Sequence, residues 1–118
     1  MTLKEQRKYD RRHSIYYLRV YDKGTGKLLG NLIDISEQGI MLISDYTIEL
    51  KKRFTCSMHL PEEIEGSNTV DFEAEVRWCR NDTNPNFYDI GFELISAPEK
   101  FSAILQHLIE AYMFKDID

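Results

Sequence analysis

With 118 residues, 42% of them hydrophobic and 30% charged, the chain is one domain's worth of sequence with the make-up of a folded rather than a disordered protein. No apolar run approaches the ~20 residues of a membrane-spanning helix, and residues 1–12 are too polar for a signal peptide or an anchor. The formal net charge of −5 is unevenly spread: Lys4, Arg7, Lys8, Arg11 and Arg12 against Glu5 and Asp10 give the first twelve residues +3 and leave −8 for the rest. Such a body repels a long polynucleotide, and the short basic arm is either a solvated tail or a clamp for a compact anion.

Strand signals dominate the middle of the chain. Residues 14–22 are rich in Ile, Tyr and Val, and the Lys-Gly-Thr-Gly-Lys stretch at 23–27 is a turn leading into a second strand at 27–34. A polar loop over 34–39 precedes an apolar strand at 40–44. Phe54, Cys56, Met58 and Leu60 alternate with Thr55, Ser57 and His59, the period of a half-buried strand. In residues 70–78 the even positions are apolar and the odd ones charged, so one face packs inward and the other meets water. After a loop at 81–86 containing Pro85, the residues Tyr88, Ile90, Phe92 and Leu94 form the inward face of a last strand. About six strands at this spacing predict an antiparallel barrel or sandwich.

The period then changes to that of a helix. Ser96-Ala97-Pro98-Glu99 has the pattern of a capping box. Phe101, Ile104, Leu105, Leu108, Ile109, Tyr112 and Met113 follow at helical spacing. This stripe is expected to close one end of the barrel or to form a dimer seam, so the protein is expected to be a monomer or a weak homodimer. The expected organisation is a single domain over 1–118: a flexible basic arm at 1–13, a β-barrel at 14–95 and a C-terminal helix at 96–114.

Cys56 and Cys79 are too few for a disulfide framework or a zinc site and read as buried free thiols, consistent with a reducing, cytoplasmic compartment. His13, His59 and His107 share no ligand spacing, which points away from a metal site. No phosphate-cradling G-x-x-x-x-G-K loop is present. Catalysis is therefore not expected, and neither is a cofactor.

Two short segments carry recognisable chemistry. Arg7-Lys8-Tyr9-Asp10-Arg11 is an R-x-x-x-R pattern, and Asp34-Ile35-Ser36-Glu37-Gln38-Gly39 is a D-x-S-x-x-G pattern. An arginine presents a planar fork of donors that fits phosphate oxygens and the O6/N7 edge of guanine. Asp34 can accept from the N1–H and N2–H₂ edge of a guanine, Ser36 adds a small donor and acceptor, and Gly39 permits close backbone approach. Together these residue types describe a site for a guanine nucleotide.

In these paired motifs, in this order on either side of a hairpin, the chain resembles the PilZ domain family. The stretches Val76-Arg77-Trp78 and Asp89-Ile90-Gly91-Phe92-Glu93 resemble that family's closing strands, so the likeness runs from about Gln6 to the C-terminal helix. The resemblance implies a six-stranded PilZ-type β-barrel that binds the bacterial second messenger cyclic di-GMP, with Arg7 and Arg11 on phosphate and guanine and Asp34 and Ser36 on the base. Lys8 and Arg12 form a second basic pair at the same spacing and are candidate further contacts. Trp78 is either a core or rim tryptophan or a stacking platform for a guanine. The resemblance further implies a regulator of a downstream protein in motility, exopolysaccharide or biofilm pathways, whose arm folds onto the barrel when ligand arrives. Two other classes are a ligand-independent PilZ-like protein-interaction module, disfavoured by the intact motifs, and a nucleic-acid-binding small barrel, disfavoured by the acidic body.

Overall fold

The structure, a computed structural model, describes residues 18–112. The segment carrying Arg7, Lys8, Arg11 and Arg12 lies outside the described residues, as do residues 14–17 of the expected first strand. Six strands follow one another: β1 (Arg19–Asp22), β2 (Leu28–Ile35), β3 (Gly39–Ser44), β4 (Arg53–Ile64), β5 (Ser67–Asn81) and β6 (Tyr88–Ser96), then one helix, α1 (Phe101–Tyr112). All strand pairs are antiparallel, and the sheet closes into a barrel in the order β1-β2-β3-β6-β5-β4, with β4 returning to β1. Closure pairs each described strand with a neighbour on both sides over part of its length, which limits the open edge on which another chain could template.

Local chemistry sets the turns. Between β1 and β2 the Asp22 carboxylate accepts from the Gly24 amide at 3.0 Å and from Thr25 Oγ1 at 3.0 Å, and Gly26 takes φ +79°. Between β4 and β5, Glu65 and Gly66 both have positive φ, 52° and 77°, the backbone of a two-residue type I′ hairpin whose twist matches that of the strands. This hairpin is longer than the sequence predicts. Residues 61–69 show no apolar alternation, but closure of the turn carries pairing out to Ile64↔Ser67. Pro61 falls in the stretch where register shifts, between His59 and Ile64, a position where a missing N–H is tolerated.

The alternation read from the sequence is the alternation observed. Val20, Leu32, Leu42, Cys56, Met58, Val70, Ala74, Val76 and Ile90 all point into the barrel and are essentially solvent-free. Each such aliphatic side chain contributes about 1.5–3 kcal/mol by leaving water, and emptying one, as in Leu32→Ala, would cost about 2–5 kcal/mol. Burial pushes the Cys56 thiol up to about 12, with Asp22 adding to the effect. Cys79 differs from its expected burial and is only half-buried.

The helix buries Phe101, Ile104, Leu105 and Leu108 within the chain, so its apolar stripe is satisfied intramolecularly. Phe101 packs on Phe72 with ring centroids 5.3 Å apart. Polar bonds fix the helix to the β4–β5 hairpin: Lys100 to Ser67, His107 Nε2 to Glu62 at 2.9 Å, and the Tyr112 hydroxyl to Glu62 at 2.6 Å. The expected capping box does not form. Ser96 is the last residue of β6, paired with Glu73, and is committed to the sheet. Residues 97–100 make a turn in which the Phe101 amide donates to the Pro98 carbonyl at 3.0 Å, and the helix begins only there.

Candidate functional site

The D-x-S-x-x-G segment forms the tight connection from β2 to β3. Asp34 and Ile35 still pair with Met41 and Ile40, after a bulge between Leu32 and Asp34. The Ser36 amide donates to the Gly39 carbonyl at 2.9 Å, and Ser36 Oγ accepts from the Gln38 amide at 3.2 Å. A serine side chain thus takes the place of backbone inside the turn. Asp34 Oδ1 accepts from the next amide, Ile35, at 2.9 Å, which orients a half-buried carboxylate.

Gly39 is required by its neighbours rather than by its own dihedral angles. It pairs with Glu93 on β6, and a Cβ there would stand 2.1 Å from the Phe92 carbonyl oxygen. The Leu94 amide donates to the Gln38 carbonyl at 2.9 Å, which clamps the turn onto β6.

Trp78 reaches the same place through a bulge. Val76 pairs with Phe92 and Trp78 with Gly91, so one extra residue of β5 is accommodated there. The bulge breaks the inward alternation, and Trp78 is half-buried on the rim rather than sealed in the core. Its indole lies directly over Gly91, where a Cβ would meet the ring at 2.2 Å. The Arg80 guanidinium stacks on it, 4.4 Å from the ring centroid, a cation–π contact.

These elements enclose an open cavity of about 610 Å³, within the range of small-molecule sites. Of the residues expected from the sequence, Asp34, Ser36, Gly39 and Trp78 all line it. Arg7, Lys8, Arg11 and Arg12 lie outside the described residues. Sequence reasoning missed Gln38, Arg77, Gly91 and Glu93, which also line it. Gly91 carried a signal, since a glycine inside a strand marks close approach of another group. Arg77 and Glu93 carried none, because they meet only through the strand register. Arg77 Nη1 donates to Glu93 at 2.7 Å and to Glu75 at 3.3 Å, and Arg53 Nε donates to the other oxygen of Glu75 at 2.8 Å. The result is a ladder of alternating charge across β4, β5 and β6.

Among the described residues no group of three or more His, Cys, Asp or Glu is arranged to hold a metal ion. No helix among them is long and apolar enough to cross a membrane. His59 stacks against Tyr21, with centroids 4.7 Å apart.

A closed six-stranded barrel with a polar turn, a strand glycine and an indole converging on one outer cavity defines a small β-barrel domain with a candidate binding site. The chain matches the PilZ domain over residues 5–111 and belongs to that family. Among solved structures it is similar to the Bacillus subtilis inhibitor of motility MotI/DgrA, with 21% identity and a TM-score of 0.64 over 89% of this chain and 51% of that one. It is also similar to K. pneumonia MrkH in its complex with c-di-GMP, with 16% identity and a TM-score of 0.61 over 89% of this chain and 52% of that one. The chain thus spans about half the length of each, and at these identities the likeness is one of fold. No curated protein matches the sequence.

Proposed function

We propose that this domain is a receptor for cyclic di-GMP, binding it in the cavity beside the β2–β3 turn and passing the event to a downstream protein. The observation that carries the proposal is the convergence of Asp34, Ser36, Gly39 and Trp78, drawn from both halves of the chain, on one cavity. The Asp34 carboxylate has the chemistry to accept from the N1–H and N2–H₂ edge of guanine, with Ser36 beside it. Family membership and the c-di-GMP of the MrkH complex point to the same dinucleotide.

Charge identifies what the cavity lacks. Among the described residues its lining carries Asp34 and Glu93 against Arg77, and Arg77 is already paired with carboxylates. Two phosphates entering there need further cations, and the family resemblance assigns that role to Arg7 and Arg11, with Lys8 and Arg12 as a second pair. A base stacking on Trp78 would replace the Arg80 guanidinium or extend its stack. The domain acts without catalysis as a cytoplasmic adaptor in motility, exopolysaccharide or biofilm control.

Isothermal titration calorimetry with cyclic di-GMP, run beside GTP and cyclic AMP, tests this. Saturable binding of cyclic di-GMP alone is the expected result. Silence with cyclic di-GMP would overturn the receptor reading in favour of a ligand-independent interaction module.

A further inference from the structure

A second cavity, of about 360 Å³, opens where the 23–27 turn meets the start of β4, lined chiefly by Lys23, Lys52, Arg53, Phe54 and Asp22. It stands out against the charge of the molecule. Residues 18–112 hold nine Lys and Arg against sixteen Asp and Glu, a net of −7, yet three of those nine cations, Lys23, Lys52 and Arg53, line this one cavity, with Lys27 and Lys51 in the two adjoining segments of the sequence. The lone carboxylate in the lining, Asp22, is engaged by the Gly24 amide and Thr25 Oγ1.

The cations are held in place but incompletely neutralised. Lys23 pairs with Asp71, and Arg53 with Glu75. Lys52 Nζ lies over the Phe54 ring, 5.3 Å from its centroid, and Lys27 Nζ over the Tyr46 ring at 4.4 Å. Neither Lys27, Lys51 nor Lys52 has a carboxylate within ion-pair distance among the described residues. The backbone beneath is pinned: the Lys51 amide donates to the Val76 carbonyl at 2.8 Å and the Val76 amide to the Lys52 carbonyl at 3.0 Å. Leu50, two residues before Lys52, is 56% exposed, the most exposed large apolar side chain described.

From this we infer that the second cavity is a docking surface for a short acidic segment of a partner protein, one that alternates carboxylates with an apolar side chain. The charge is complementary, Phe54 in the lining supplies apolar contact with Leu50 exposed two residues before Lys52, and the concavity suits a side chain rather than a flat bilayer. A single exposed leucine is a weak membrane anchor, and an anionic bilayer would face the whole acidic body rather than this patch. Asp45 and Glu49 border the loop and dilute its charge, which favours a short acidic segment over an extended polyanion.

The ladder connects this surface to the first cavity. Arg53 lines the second cavity, Arg77 and Glu93 line the first, and Glu75 holds both arginines. A partner carboxylate that takes up Arg53 leaves Glu75 to Arg77, which draws Arg77 from anything in the first cavity. By reciprocity, an anionic ligand that engages Arg77 leaves Glu75 to Arg53 and weakens the partner. The two occupants are antagonistic. This coupling rests on the cyclic di-GMP reading above, whereas the docking surface does not.

The test uses a short fluorescein-labelled peptide alternating glutamate and leucine, its glutamine counterpart, and vesicles of phosphatidylglycerol and phosphatidylcholine, each titrated against the full chain. The glutamate peptide should bind saturably and the glutamine peptide should not. Lys52→Glu should weaken the glutamate peptide by about tenfold or more, and Lys52→Gln, which keeps a stem over Phe54, by severalfold. Equal binding by Lys52→Glu, no binding of the glutamate peptide, or capture by vesicles alone would each overturn the docking surface. Saturating cyclic di-GMP should weaken the peptide by about two- to fivefold, as expected for exposed ion pairs, and should not do so in Glu75→Gln. If calorimetry shows cyclic di-GMP bound and the peptide affinity does not change, the coupling is overturned. If cyclic di-GMP does not bind, the receptor reading fails instead, and the peptide titrations still decide the surface.

Discussion

The β2–β3 and β4–β5 turns do the same topological job by different means. The β4–β5 turn is solved in the backbone: Glu65 and Gly66 adopt positive φ, and a Cβ on Gly66 would meet nothing within 4 Å. The β2–β3 turn is solved with side chains and contact. Ser36 Oγ caps the Gln38 amide, Asp34 is oriented by the Ile35 amide, and Gly39 lets the backbone of β6 come close. The first solution serves the fold alone. The second leaves polar atoms at a cavity mouth, and a turn built that way is where a ligand can be read.

That contrast can be broken most directly at the two glycines. Gly39→Ala puts a methyl 2.1 Å from a backbone oxygen that cannot move without parting β3 from β6. It should cost about 3 kcal/mol or more. Gly66→Ala meets no neighbour and should cost only the dihedral strain of a left-handed alanine, about 1 kcal/mol. Urea unfolding of the two variants measures the difference. Equal costs would mean that the packing of the β2–β3 turn is not what distinguishes it.

The next effect sharpens the comparison on the ligand side. Arg11→Ala should remove a charge-assisted bond to cyclic di-GMP worth about 1.5–3 kcal/mol, a loss of tenfold or more in affinity by calorimetry. Ser36→Ala should cost less, about 1 kcal/mol, as expected for one neutral hydrogen bond. Normal binding by both Arg7→Ala and Arg11→Ala would place the clamp elsewhere.

Gly91 offers a probe that leaves the turn intact. A Cβ there would meet the indole of Trp78, the one tryptophan of the chain, at 2.2 Å. A side chain can move where a carbonyl cannot, so Gly91→Ala should destabilise less than Gly39→Ala, by about 1–2 kcal/mol. It should still shift the intrinsic tryptophan emission, because the ring must leave its seat. An unchanged spectrum would show that the indole does not rest on Gly91.

Much of this was legible in the sequence because period two survives translation into a barrel. The even-numbered faces of β4 and β5 are inward where alternation places them, and the strands break where the turn residues stand. What escaped followed from interactions that no local pattern encodes. The β4–β5 hairpin extends past Leu60 because positive φ at Glu65 and Gly66 closes it, not because residues 61–69 are strand-like. Ser96 belongs to β6 because Glu73 pairs with it, which overrides its value as a cap. Sequence leaves Trp78 open between core and rim, and only the bulge between Val76 and Trp78 decides for the rim. Asp34, Ser36 and Gly39 could be singled out as cavity residues because one short segment holds them. Arg77 and Glu93 could not, since only the register of β5 on β6 brings them together.

The smallest effect concerns the clasp that holds α1 to the β4–β5 hairpin. Hydrogen bonds from Tyr112 and then from His107 hold the Glu62 carboxyl below its ordinary value of 4.5. A carboxyl that titrates lower in the folded state than in the unfolded one favours folding when ionised. Its contribution is complete above about pH 5 and fades as the pH falls through the lowered value. Glu62→Gln should therefore lower the urea midpoint at pH 7 by a small amount, and the gap to the parent protein should close in acid. A gap that stays constant with pH would mean that geometry, not the carboxylate's charge, ties the helix to the hairpin, and α1 would then resist acid as firmly as the barrel it packs against.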